Sequence, residues 1–127
     1  MSTRVEVTKA LASIIREALP NVPWSVNISG ANATKGIEGT ISCDHVSFEQ
    51  GARCFVLARA TYTVYVIDMQ GNAPIEEIGD TLFDVLNCSD LNGACMVCNV
   101  NSIVYGAPKG NQKASALLME LVAEYEV

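Results

Sequence analysis

Ala60-Thr61-Tyr62-Thr63-Val64-Tyr65-Val66-Ile67-Asp68, residues 60–68, is the stretch that decides the fold. β-Branched and aromatic side chains dominate it, and these fit a pleated, half-buried surface better than a helix. Thr61 and Thr63 alternate with Ala60, Tyr62, Val64 and Val66, a period of two that sends the even residues to a core and the odd residues to the opposite face. With Phe55 and Val56 upstream, the pattern predicts one long central strand over 53–68.

Downstream, Met69-Gln70-Gly71-Asn72-Ala73-Pro74 is a turn cluster, and proline is pre-organised for the first turn of the helix it introduces. Ile75, Ile78, Leu82, Phe83 and Leu86 supply that helix with an apolar stripe, while Glu76 and Glu77 suit the positive end of its dipole. Residues 87–93 end it. Cys95 to Tyr105 reads as a further strand, with Met96, Cys98, Val100, Ser102 and Val104 on one face. Gly106, Pro108, Gly110 and Asn111 mark a turn. The closing segment sets Ser115, Leu117, Met119, Leu121, Ala123, Tyr125 and Val127 against Ala116, Leu118, Glu120, Val122, Glu124 and Glu126, which predicts a half-buried terminal strand.

Upstream, residues 25–51 are rich in Gly, Asn, Ser and Thr, with short β-branched pieces near Val26–Ile28 and Ile37–Cys43. They predict a twisted hairpin or extended excursion outside the core. Thr3 and Glu6 have capping-box spacing and open a first helix, whose stripe is Val7, Leu11, Ile14, Ala18 and Leu19. Pro20 and Pro23 stop it.

These elements define one α+β domain over residues 1–127. The expected architecture is an antiparallel sheet, with a mixed sheet as its variant, two helices on one face and an extended hairpin. A chain of 127 residues can remove roughly two thirds of its unfolded surface from water, so it can fold without staples. Eight Lys and Arg against fourteen Asp and Glu give a net charge of −6. The cations are scattered singly, which argues against nucleic-acid binding by counterion release. Met1-Ser2-Thr3-Arg4 lacks the apolar core of a signal peptide, and no apolar run approaches the roughly 20 residues that cross a bilayer. Cys43, Cys54, Cys88, Cys95 and Cys98 are odd in number and irregular in spacing, which points to a reducing compartment.

Four constellations invite chemistry. Cys95-Met96-Val97-Cys98, with Cys88 upstream, has CxxC spacing, but on a strand the two sulfurs fall on opposite faces, and small apolar filler is the plainer role. Cys43 and His45 would share a face of a strand, yet no orienting group or oxyanion hole accompanies them. Glu76, Glu77, Asp80 and Asp84 line the outer side of a helix and read as a solvated face, without the glycine-containing pattern of a calcium loop. Gly106-Ala107-Pro108-Lys109-Gly110 precedes a strand, whereas a phosphate loop opens a helix, so it is a turn. The sequence therefore nominates no catalytic, cofactor-binding or metal-binding residue.

The order of elements carries a resemblance. The run Ala60–Asp68, the helix from Pro74 to Leu86, the strand through Val100 to Tyr105 and the alternation to Tyr125, led by the helix Thr3–Leu19, resemble the tail terminator or tail-completion proteins of long-tailed bacteriophages and prophages. Residues 30–51 match that layout only loosely.

The resemblance implies a structural subunit, not an enzyme. It implies a homo-oligomeric ring of six that caps the tail tube, stops its polymerisation and joins tail to head. The implied partners are further copies, the tail tube protein and the head–tail connector protein, with DNA passing through without specific binding and no membrane contact. The implied setting is the virion tail, with assembly in the host cytoplasm, and family members use the sheet and long hairpin loops for subunit contacts. Six copies at −6 each carry −36, and an acidic passage would repel DNA phosphates. Residues 29–51 are then expected to form an arm that orders on assembly. Two other classes fit the same pattern: another phage neck or connector subunit, and a small cytoplasmic enzyme or ligand-binding domain with its site between protomers.

Overall fold

The computed structural model describes residues 2–27, 36–107 and 113–127. Helix α1, Arg4–Ala18, begins where the Thr3 hydroxyl accepts from the Glu6 N–H at 3.2 Å. The reciprocal half of the expected box differs, because the Thr3 hydroxyl itself donates to Glu6 Oε1, also at 3.2 Å. The buried stripe is Val7, Thr8, Leu11, Ala12 and Ile15. Ile14 and Ala18, expected within it, are only half-buried, because the helix turns its contact face toward Ile15.

Strand β1, Trp24–Val26, lies parallel to β2, Ile37–Gln50. Strand β2 pairs antiparallel with β3, Val56–Asp68, through a tight connection at Gly51–Phe55. Helix α2, Ile75–Leu86, then leads to β4, Val97–Gly106, and β5, Ser115–Glu126. The sheet order is β1-β2-β3-β5-β4, so the terminal strand lies inside the sheet, antiparallel to both neighbours. The fold is α+β as expected, with the mixed sheet realised by β1.

Both helices cover the even face of β3. Ala58, Ala60, Tyr62, Val64 and Val66 are fully buried there with Leu117, Met119, Leu121 and Ala123 of β5, and with Leu82 and Leu86 of α2. Phe83 is exposed, since it lies on the flank of α2 rather than in the stripe. One polar pair crosses this core. The Thr8 hydroxyl donates to the Arg4 carbonyl at 2.8 Å, so the Tyr62 hydroxyl must be the donor in its 2.7 Å bond to Thr8.

The segment expected to be an excursion outside the core contributes Ile41, which is fully buried. Its composition misleads at Gly39, where the Trp24 ring occupies the space a Cβ would take. The indole N–H is tied to the Leu19 carbonyl at 3.2 Å. Residues 37–50 already form a paired strand in the single chain, which corrects the expectation that they order only on assembly; residues 29–35 lie outside the described residues.

The hairpin is nonetheless extended. Fourteen residues of β2 span about 46 Å at ~3.3 Å each, whereas the fifteen residues of α1 span about 22 Å at ~1.5 Å each. The helices therefore cannot cover its far end, and Phe48 is 65% exposed there.

Candidate assembly surface

A β-bulge separates Cys43 from His45, so Cys43 pairs with Tyr62 on the core face and His45 with Thr61 on the opposite face. The two do not share a face as expected. His45 Nε2 instead lies 3.4 Å from the Thr61 hydroxyl, and the bulged Asp44 bonds the Thr63 hydroxyl.

Cys95 precedes β4 rather than lying within it. Both it and Cys98 are consequently buried, which corrects the opposite-face placement. Burial, reinforced by Asp90, pushes the Cys95 thiol up to about 11; burial, reinforced by Cys95, pushes Cys98 to about 12. Such thiols stay protonated and unreactive at neutral pH. Cys88 is exposed, with its thiol directed at Asn99 Oδ1. Glu76, Glu77, Asp80 and Asp84 are all exposed along α2, and among the described residues no group of His, Cys, Asp and Glu is arranged to hold a metal ion. Of the Gly106–Gly110 turn, positions 108–110 lie outside the described residues; Gly106 closes β4.

Asp68, not singled out from sequence, is a buried carboxylate at the end of β3. Burial alone would raise its pKa, but N–H groups of the following turn outweigh that and hold it below its ordinary value. Gln70 N–H donates to Oδ1 at 3.0 Å, while Asn72 and Ala73 donate to Oδ2 at 2.9 and 2.6 Å. The sequence signal was an Asp directly before a turn cluster. Its role is to fold the connection into α2.

The face of the sheet opposite the helices is uncovered by the described residues, and it is built in bands. At one end Tyr65 of β3, Leu118 of β5 and Val104 of β4 stand in one cross-strand row, with Val104 61% and Leu118 40% exposed. They line an open depression with Gly106, Ala107 and Ala116. At the other end Arg59 of β3 bridges Glu49 of β2 at 2.8 Å and Glu124 of β5 at 3.1 Å. Glu120 and Glu126 occupy the same face, so carboxylates outnumber cations on it.

Strand β4 has a second bulge, between Val100 and Ser102. It moves Ser102 and Val104 off the face they were expected to share with Cys98 and places them on the uncovered side. Before the bulge the outer edge of β4 is covered: Cys98 N–H donates to the Ser89 carbonyl at 2.7 Å, and Val100 N–H to Asn87 Oδ1 at 3.1 Å. Beyond it, among the described residues, no segment lies along that edge.

No family model matches the chain. No curated protein matches it in sequence either. Solved structures do share its fold. A chain in the structure titled as the virion of a native gene transfer agent particle aligns with a TM-score of 0.72 at 12% identity, covering 95% of each chain. A second solved chain aligns with a TM-score of 0.55 at 17% identity, covering 95% of this chain and 91% of that one. The first likeness covers nearly the whole length of both chains, so the fold is shared along the chain rather than over a short fragment.

Proposed function

We propose that this chain is a structural subunit of a phage-like virion that closes into a six-membered ring, caps the tail tube and joins it to the head, without performing a reaction. The observation that carries the reading is the end-to-end fold match with a chain of a gene transfer agent virion particle. The element order that resembles tail terminators supports the finer assignment. A sheet face rich in carboxylates suits a passage through which DNA slides unbound, since like charge repels the phosphates. The proposed partners are further copies of the chain, the tail tube protein and the head–tail connector, in the virion tail after assembly in the host cytoplasm.

Light scattering across a concentration series, with negative-stain microscopy, tests the reading. A closed ring of six with a central hole is the expected species, because capping a tube requires cyclic symmetry. Adding the protein to polymerising tail tube subunits should then halt growth. Rings that bind a head connector but leave tube growth unchanged would move the assignment to a neck subunit. A compact dimer enclosing a ligand-binding cleft would overturn the structural role altogether.

A further inference from the structure

We infer that the free edge of β4, Ser102–Gly106, receives the outer edge of β2, His45–Gln50, from a second copy of this chain. The inference rests on the assembly role proposed above and names the surface through which it works. Among the described residues both edges are open for the same kind of reason. On β2, strand β1 covers only Gly39–Ile41, and Asn27 extends that cover by bonding the Ile41 carbonyl and the Cys43 N–H. On β4, Asn87 and Ser89 cover the edge as far as Val100. Among the described residues each strand thus offers one uncovered half, and the two halves lie on opposite sides and at opposite ends of the sheet. Edges so placed cannot meet within one molecule. Between copies they form a head-to-tail contact, the kind that generates rings when the rotation closes.

Strand direction and chemistry agree with this pairing. Strand β2 is antiparallel to β3, β3 to β5 and β5 to β4, so a neighbour whose sheet continues in the same sense lays its β2 antiparallel to β4. Val46 and Phe48 share the helix side of the sheet with Ile103 and Tyr105. Phe48, 65% exposed, and Tyr105, 42% exposed, then cover one another as an aromatic cross-strand pair.

Charge selects the occupant. Strand β4 holds no Asp, Glu, Lys or Arg over ten residues of a chain with net charge −6. A neutral edge meets another copy without desolvating like charges. Exposed edges are ordinarily blunted by lysine, proline or short length. Here the bulge and Asn87 blunt the first half alone, leaving about 17 Å of edge at ~3.4 Å per residue.

The test compares the full chain with Phe48→Glu and Val104→Glu, both altering exposed side chains, and with Val5→Glu on α1 as a control. Folding is checked by circular dichroism, assembly by light scattering, and the contact by amide hydrogen exchange with and without assembly. The expected result is that both edge variants fold normally and raise the half-assembly concentration at least tenfold, while Val5→Glu does not. Assembly should slow exchange in residues 45–50 and 102–106 together. Rings that protect other segments would overturn the edge pairing and leave the capping role intact. A two-fold dimer protected only at 102–106 would overturn both, and a chain that stays monomeric at every concentration would overturn self-pairing.

Discussion

Tyr105, on the sheet's edge strand, lays its phenol ring into the space where a Cβ on Gly79 of α2 would stand, with the ring's Cζ only 2.9 Å from that position. A glycine inside a helix ordinarily costs ~1 kcal/mol relative to alanine. Here it opens the seat that docks β4 to α2. Gly79→Ala should therefore forfeit its helical gain by expelling the ring, leaving stability near or below that of the parent. In a Tyr105→Ala background the same change should stabilise by ~1 kcal/mol. Urea unfolding of the four-member cycle measures the difference, and additive effects would show that the seat carries no energy.

The Asp68 turn predicts a pH dependence. The folded pKa lies below its ordinary value of 3.8, so the contribution is fully present above that value and is lost as pH falls through the folded pKa. Asp68→Asn replaces one acceptor oxygen with a donor facing N–H groups and removes the charge, for an expected loss of roughly 2 kcal/mol near neutrality. The variant's stability should fall less steeply in acid than the parent's. Parallel acid limbs for the two proteins would count against this account.

The Thr8–Tyr62 pair is unequal. Tyr62→Phe leaves Thr8 bonded to the Arg4 carbonyl, and it should cost about 1 kcal/mol or less. Thr8→Val strands a buried tyrosine donor and should cost roughly 1–3 kcal/mol. Burial, partly offset by the Thr8 bond, raises the Tyr62 pKa, so ultraviolet titration of the folded protein should leave this phenol protonated when an ordinary tyrosine ionises. Equal losses in the two variants would contradict the donor assignment.

Thiol chemistry should follow burial. Iodoacetamide at pH 8 without denaturant is expected to label Cys88 and to spare Cys95 and Cys98, because protonated buried thiols are poor nucleophiles. Peptide mass spectrometry distinguishes the sites. Rapid modification of Cys98 would mean that the core opens far more readily than its packing implies.

Much of this fold is legible in the sequence wherever a regular period meets a single buried face. The alternations of β3 and β5 place their core residues correctly from Ala60 to Tyr125, and Thr3 marks the start of α1. The misreadings at Cys43/His45 and at Ser102/Val104 share one cause: each strand carries one extra residue, which reverses the parity beyond it without changing composition. The hairpin containing β2 was expected, but its full length and its place in the core were hidden for another reason. Its Gly, Ser and Thr content suggests a hairpin or excursion outside the core, whereas its ladder with β3 and the Trp24 ring over Gly39 bring Ile41 into the core. The edges left open among the described residues were illegible altogether, because they depend on how far β1 and the 87–89 segment reach along their neighbours.

A hairpin about twice as long as helix α1 divides the labour of the sequence. Near Ile41 and Val64, a substitution must satisfy the core before it can do anything else. From His45 to Gln50 most side chains face solvent, so substitutions there can alter what the surface recognises while leaving the fold's determinants untouched. Related chains could accordingly exchange one partner for another by rewriting half a strand, with the domain beneath it unchanged.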